Sequence, residues 1–126
     1  MAHETAAHLG DAQQTAGTAP SIDAALASDG IDEFLQWFAP NVPDGTAPLG
    51  GSVHLHCTDV AGEWFVVDGA EGGLTVTREH AKGDCALRGA AGDLLFVLWR
   101  RLPLDRADVV GDGDLAARFV ARPDLG

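Results

Sequence analysis

Residues 53–68, VHLHCTDVAGEWFVVD, decide the fold of this chain. Val53, Leu55 and Cys57 alternate with polar residues, which is the period-two pattern of a strand with one buried face. A second apolar run, EWFVVD, follows after a short turn at residues 60–62. The stretch therefore predicts two neighbouring strands joined by a turn.

The pattern downstream supplies the remaining elements of one domain. Short alternating or apolar runs predict a third strand at residues 74–79, a fourth at 84–88 and an edge strand at 109–110. An apolar helix is predicted from Asp93 to Trp99, and Asp112 or Asp114 can cap a final helix. Since strands come first and helices after them, we predict an α+β fold: an antiparallel sheet of about four to five strands with helices packed on one face, preceded by N-terminal helices.

The N-terminal part reads as helices and loops. Residues 2–16 favour a helix that ends at Gly17, and Ser21 can cap a second helix. In that second helix the apolar side chains follow i, i+3, i+4, i+7 spacing and form one stripe: Ile31, Phe34, Leu35 and Phe38. Prolines and glycines between residues 40 and 51 then predict a stiff surface connection.

Composition excludes several classes of partner. The formal net charge is −11, from 19 acidic residues against 8 Lys and Arg, and such a chain repels nucleic acid and anionic lipid headgroups. The chain has no apolar run long enough to span a membrane and no signal-peptide pattern. We therefore expect a cytoplasmic protein, with no nucleic acid and no membrane among its partners.

The two cysteines, Cys57 and Cys85, lie in apolar stretches and form no CxxC pair. In a reducing compartment we expect two buried free thiols, and a cross-strand disulfide is the alternative.

The first candidate metal ligands are Glu4 and His8 in the stretch HETAAHLGDA, residues 3–12. On a helix, positions i and i+4 lie on one side and can share an ion. The site is incomplete because the chain shows no third ligand beside them, and three protein ligands are usual for a catalytic metal. An ordinary solvated helix end is the competing interpretation.

A second candidate group is formed by His54 and His56, which share a sheet face because they are two residues apart on one strand. They could bind a metal together with His80 or Glu4. A polar, solvated sheet face is the simpler alternative.

Residues 53–119 resemble the C-terminal domain of the mycothiol-dependent maleylpyruvate isomerase family, which is related in fold to the sterol carrier protein type 2 group. The motifs that carry the resemblance are LHCTD, GEWFV, CALRGAAGDLLFVLWRR and VVGDGDLAARF, in this order. Further upstream, DGIDEFLQWFAP resembles the helix that links the family's two domains. The stretch AHETAAHLGDAQ resembles the last helix of the family's DinB-like metal-binding domain.

The resemblance implies a division into residues 1–20, a remnant of that metal domain; residues 21–50, the linking helix and loop; and residues 51–126, the α+β domain. It also implies that Glu4 and His8 are metal ligands whose third partner, a His from an earlier helix, has no counterpart here. A family arginine that reaches towards the metal pocket corresponds to Arg100 or Arg101, which are therefore the candidate catalytic residues. Capping the preceding helix is their alternative role.

These observations lead to three hypotheses. The first is a non-catalytic accessory module, inactive as this chain, with no cofactor of its own; zinc and mycothiol belong to the full-length family. Its expected partner is a second copy, bound through the apolar stripe of the second helix, or a separate helical metal domain. The second hypothesis is a truncated mycothiol-dependent metalloenzyme, an isomerase or transferase. The third is a carrier of small apolar ligands, with Trp37, Trp64 and Trp99 lining a cavity.

Overall fold

The computed structural model describes residues 23–69 and 73–125. The predicted helix over residues 2–16 lies outside this part of the chain. The elements, in chain order, are α1 (Ala24–Trp37), β1 (Val53–Cys57), β2 (Glu63–Asp68), β3 (Leu74–Thr77), β4 (Cys85–Gly89), α2 (Ala91–Leu98), a 3-10 helix (Leu104–Arg106), β5 (Asp108–Gly111) and α3 (Gly113–Ala121). No helix among the described residues is long and apolar enough to cross a membrane.

The five strands form one sheet in the order β3-β2-β1-β4-β5. This confirms the α+β class, but the sheet is mixed rather than antiparallel, because β1 and β4 run parallel while the other three pairs are antiparallel. It follows that β3 and β4 also point in the same direction. The connection over residues 78–84 must therefore return along the sheet from the end of β3 to the start of β4.

The helices cover one face of the sheet, as predicted. Val53 and Leu55 of β1, with Trp64 of β2, are fully buried in the core. The same core cluster contains residues of all three α-helices, and α1 packs against α2. The sheet face that carries the side chains between these core positions is turned away from the helices.

The apolar stripe of α1 is part of this core. Ile31, Phe34 and Leu35 are at most 1% exposed, and Phe38 packs against the core as a partly buried residue. The prediction that this stripe is an exposed contact surface was wrong, because α2 and the sheet of the same domain already cover it.

Side-chain caps fix the starts of the helices. Asp23 caps α1 by accepting hydrogen bonds from the backbone N–H groups of Ala25 and Leu26. The helix therefore begins at Ala24, two residues later than predicted. Of the two predicted caps for α3, Asp112 is confirmed. The N-terminus of α2 is capped by a residue far away in the sequence, since Asp59 accepts a hydrogen bond from the Ala91 N–H.

Both cysteines are buried free thiols, as predicted. In the β1–β4 register Cys85 lies beside Val53, so Cys57 stands four positions further along the sheet. At about 3.3 Å per residue this places their Cα atoms more than about 12 Å apart. A disulfide needs less than about 7 Å, so the two residues cannot be bridged in this fold.

Candidate functional site

The open face of the sheet carries a cluster of three imidazoles around one carboxylate. In the β1–β2 register His56 lies opposite Glu63, and His54 lies opposite Phe65. These residues alternate with the core positions Leu55 and Trp64, so their side chains project from the face without helices. The short turn between the two strands thus brings Glu63 beside both histidines of β1.

The connection between β3 and β4 adds His80 to this face. Its Nδ1 lies 2.8 Å from Glu63 Oε1, and His56 Nδ1 lies 2.5 Å from the same oxygen. The third imidazole is that of His54, whose Nε2 lies 3.4 Å from Glu63 Oε1. One carboxylate oxygen of β2 therefore faces three imidazole nitrogens, two from β1 and one from the returning connection.

His54 differs from the other two histidines in its burial. The His54 side chain is 10% exposed, whereas the His80 side chain is 78% exposed. The rings of His54 and His80 meet edge to face with centroids 5.2 Å apart. The buried His54 Nε2 makes no hydrogen bond of good geometry to any described residue, and its contact with the Glu63 carboxylate is a long one of 3.4 Å. A buried polar atom in this condition needs a partner, because its loss of hydration is otherwise uncompensated.

The electrostatics of the cluster favour a neutral His54 and an ionised Glu63. Burial lowers the pKa of His54, although the Glu63 carboxylate opposes this effect. Hydrogen bonding from His80, with a further contribution from His56, lowers the pKa of Glu63 to about 2. At neutral pH the cluster thus offers an imidazole lone pair and a carboxylate side by side, which are the ligand types that bind transition metals.

A depression of about 300 Å³ opens over the cluster and is lined by His54, His56, His80 and Arg88. Three residues of the cluster are spaced closely enough to bind one metal ion. His54, Glu63 and His80 each have one ligand atom within 4.8 Å of the ligand atoms of the other two. His54, His56 and His80 are the candidate metal ligands that the sequence predicts on this face, and the structure places all three around Glu63.

Glu63 is the cluster residue that is not among the candidates from the sequence, where it is only the first residue of the predicted second strand. The available signal was the short turn at residues 60–62, because a tight connection places the start of β2 opposite the end of β1. Glu4, the alternative partner for these histidines, lies outside the described residues.

The two candidate arginines occupy a different region. Arg100 has a left-handed backbone, with φ of 59°, and its guanidinium donates to the carbonyl oxygens of Val120 and Pro123 at the end of α3 and just beyond it. This contact joins the end of α2 to the end of α3. Arg101 is exposed and lines a depression of about 600 Å³ together with Arg100 and Arg122. None of the residues lining this depression belongs to the histidine cluster.

The other predicted metal ligands, Glu4 and His8, lie outside the described residues, and their role stays a prediction.

The fold is shared with a solved structure of another protein. The structure of Sterol Carrier Protein 2 Like 2 from Aedes aegypti superposes with a TM-score of 0.54 and 18% sequence identity, covering 79% of this chain and 98% of that one. At this identity the likeness shows the fold alone, which is that of the sterol carrier proteins. No curated protein matches the chain.

The family model described as the MDMPI C-terminal domain matches residues 25–118. The match runs from the first turn of α1 through all five strands into α3. The chain therefore belongs to this family, the C-terminal domains of the mycothiol-dependent maleylpyruvate isomerases, as the sequence motifs predicted.

Proposed function

We propose that this chain is a non-catalytic accessory module of a mycothiol-dependent, metal-using isomerase-like family, and that it works by docking on a separate helical metal-binding domain. The observation that carries the proposal is the family match over residues 25–118. That match covers a domain with its own closed core, formed by three α-helices and a five-stranded sheet.

The position of the implied metal ligands supports an accessory role for the matched domain. The resemblance implies a metal held by Glu4, His8 and a third residue from another helix, and these two positions precede the matched region. The matched domain therefore contributes none of the metal ligands that the resemblance implies. A helical domain that carries its own complete ligand set would supply the metal.

The arginines indicate where such a domain would dock. Arg100 is engaged within this domain by the carbonyls of Val120 and Pro123. Arg101 is exposed at the rim of the neighbouring depression. The family arginine is therefore Arg100 or Arg101, and Arg101 is the one whose replacement leaves the Arg100 contacts to Val120 and Pro123 in place.

The test measures conversion of maleylpyruvate with mycothiol and zinc by three preparations: this chain, the isolated DinB-like half of a family isomerase, and their mixture. We expect the chain alone to match the rate without enzyme. The mixture should convert faster than the DinB-like half alone, and Arg101→Ala should reduce this gain. Arg106→Ala, which replaces an exposed arginine of the 3-10 helix, is the matched control and should leave the gain unchanged.

Two results would overturn the accessory role. Conversion by the chain alone, lost in Glu4→Ala, would favour the truncated-metalloenzyme alternative. A mixture that neither gains activity nor forms a complex in sedimentation would remove the proposed partner. Sedimentation of the chain alone tests the other predicted partner, which is a second copy of the chain. The net charge of −11 opposes such self-association at low salt.

The second candidate function is that of a carrier of small apolar ligands, and the sterol carrier fold favours it. One of the three tryptophans argues against it, because Trp64 is fully buried in the core and fills space there. The Trp99 ring has its centroid 5.1 Å from that of Phe34 and 5.0 Å from that of Phe38, and it also lines the depression of about 600 Å³ beside Arg100. A fluorescent fatty acid should show no saturable binding below micromolar concentrations, and saturable binding would favour the carrier.

A further inference from the structure

We propose that His54, Glu63 and His80 form a binding site for a divalent transition-metal ion on the open face of the sheet, with ligands other than the predicted pair Glu4 and His8. One ligand atom from each of the three residues lies within 4.8 Å of the others. Ligand atoms about 2.0–2.1 Å from a tetrahedral zinc stand about 3.3 Å apart. The distances from Glu63 Oε1, 2.8 Å to His80 Nδ1 and 3.4 Å to His54 Nε2, bracket that value.

The strongest single observation is the condition of His54. The residue is more than nine-tenths buried, and its Nε2 faces the cluster without a hydrogen bond of good geometry to any described residue. Burial of this kind is unfavourable unless the atom gains a partner. A metal ion at the point where Glu63 and His80 also converge satisfies this nitrogen.

The fold holds two of the three ligands rigidly. His54 lies on β1 and Glu63 on β2, and each is fixed by the ladder between these strands. His80 lies on the exposed connection that returns across the sheet, so a small movement of that connection is enough to adjust its distance to the ion. Two fixed ligands and one adjustable ligand allow the site to close around a cation.

His56 positions the carboxylate rather than serving as a ligand in this arrangement. Its Nδ1 lies 2.5 Å from Glu63 Oε1, and it is not one of the three residues whose ligand atoms meet the metal-type spacing. A hydrogen bond to a ligating carboxylate orients it and tunes its affinity for the ion.

The ligand types select the class of metal. Two imidazoles and one carboxylate suit Zn²⁺ and its neighbours in the first transition row, whereas Ca²⁺ and Mg²⁺ need mostly oxygen ligands. Three protein ligands leave further coordination positions open. These positions would face the depression of about 300 Å³, where Arg88 can attract an anionic ligand to the ion.

The test is a zinc titration, measured by calorimetry at about pH 7.5, of the full chain after a chelator has removed any bound metal. We expect one zinc per chain at micromolar affinity or better. Substituted Co²⁺ should give the intense visible absorption of a tetrahedral site. His80→Ala and Glu63→Gln should each weaken binding by at least about 100-fold, and His56→Ala by about tenfold. His80 is exposed, so its replacement should leave the circular dichroism and the melting temperature unchanged.

The double variant Glu4→Ala, His8→Ala is the matched control and should bind zinc as the parent chain does. Three results would overturn the proposal: no saturable zinc binding, equal affinity in His80→Ala and Glu63→Gln to that of the parent, or loss of binding in the double variant. The last result would assign the metal to the N-terminal pair. Calcium titration should give no saturable binding, which separates this site from general attraction to an acidic chain.

Discussion

At the scale of single residues, Asp32 links α1 to the sheet. Its Oδ1 accepts a hydrogen bond of 3.0 Å from Trp64 Nε1, and Arg78 Nη1 lies 3.6 Å from the same oxygen. The Arg78 guanidinium also lies over the Trp64 ring, 5.5 Å from its centroid. One carboxylate therefore satisfies the indole of a fully buried tryptophan and an arginine from the residue after β3.

We expect Asp32→Ala to destabilise the domain by about 1–3 kcal/mol, because the buried Trp64 N–H would lose its acceptor. Asp32→Asn keeps an oxygen at this position and should cost less. Asp29→Ala, at an exposed position of the same helix, is the control and should lie within about 0.5 kcal/mol of the parent. Urea unfolding followed by tryptophan fluorescence measures all three. Equal effects of Asp32→Ala and Asp29→Ala would contradict the role of this contact.

The two thiols offer a second test at this scale. Burial raises the pKa of both Cys57 and Cys85 from 9.0 to about 11. Because the thiolate is the reactive form, we expect alkylation at about pH 8 to be about 100-fold slower than for an exposed cysteine with a pKa near 9. The rate is measured with iodoacetamide on the folded chain, with the urea-unfolded chain as control. Fast modification in the folded state would show that one thiol is accessible.

At the scale of elements, Gly111 allows β5 to pair with β4. It lies opposite Cys85 in the register and has a φ of 86°. A Cβ at this position would stand 2.5 Å from the Asp84 carbonyl oxygen and 3.2 Å from the Cys85 Cα. The end of β5 therefore approaches the backbone of β4 too closely for any side chain.

Gly111→Ala should destabilise the domain by about 1–3 kcal/mol more than Gly45→Ala, because only the first adds a clash with backbone to the strain of a positive φ. Gly45 has a φ of 82°, and a Cβ added there would have no neighbouring atom within 4 Å, so this position isolates the conformational part. Thermal and urea unfolding of both variants give the comparison. Equal losses would mean that the β4–β5 pairing relaxes around the methyl group.

The elements were largely predictable from the sequence, but their connections were not. Alternation of Val53, Leu55 and Cys57 with polar residues predicted β1, and EWFVVD predicted β2 with its observed bounds. A period of two does not reveal the direction of the neighbouring strand, so the parallel β1–β4 pair was missed. The histidines were recognised because they share a face, whereas Glu63 depended on register, which only the folded hairpin sets.

At the scale of the whole molecule, the described residues form a closed unit. The core cluster runs from Ala27 in α1 to Phe119 in α3 and includes residues of β1, β2 and β4. A hydrogen bond from the Asp124 N–H to the Asn41 carbonyl oxygen joins the loop after α1 to the end of the chain described. The loop from residue 43 to residue 50 is likewise held from α3, since Arg118 donates to the Leu49 carbonyl oxygen.

We therefore expect a chain that begins at Ser21 to fold as the full chain does. Its melting temperature should change by less than about 4 °C, which corresponds to less than about 1 kcal/mol for a domain of this size. Circular dichroism and calorimetry measure the change, and a chain that begins at Ile31 is the control, since it lacks the first half of α1 and the buried Ala27. A large drop for the Ser21 chain would place residues 1–20 in the core.

The parallel pairing of β1 with β4 has a consequence for the order in which the chain assembles. The sheet consists of two locally connected antiparallel groups, β1-β2-β3 and β4-β5, and only the β1–β4 ladder joins them. The contacts in this ladder are non-local, since the pairs Val53–Cys85 and His54–Ala86 each close a loop of 32 residues. Such contacts slow folding, because the chain loses entropy before they form. Amide hydrogens of this central ladder should therefore exchange with solvent only when the whole domain opens, while those of the outer strands β3 and β5 exchange through smaller, more frequent openings.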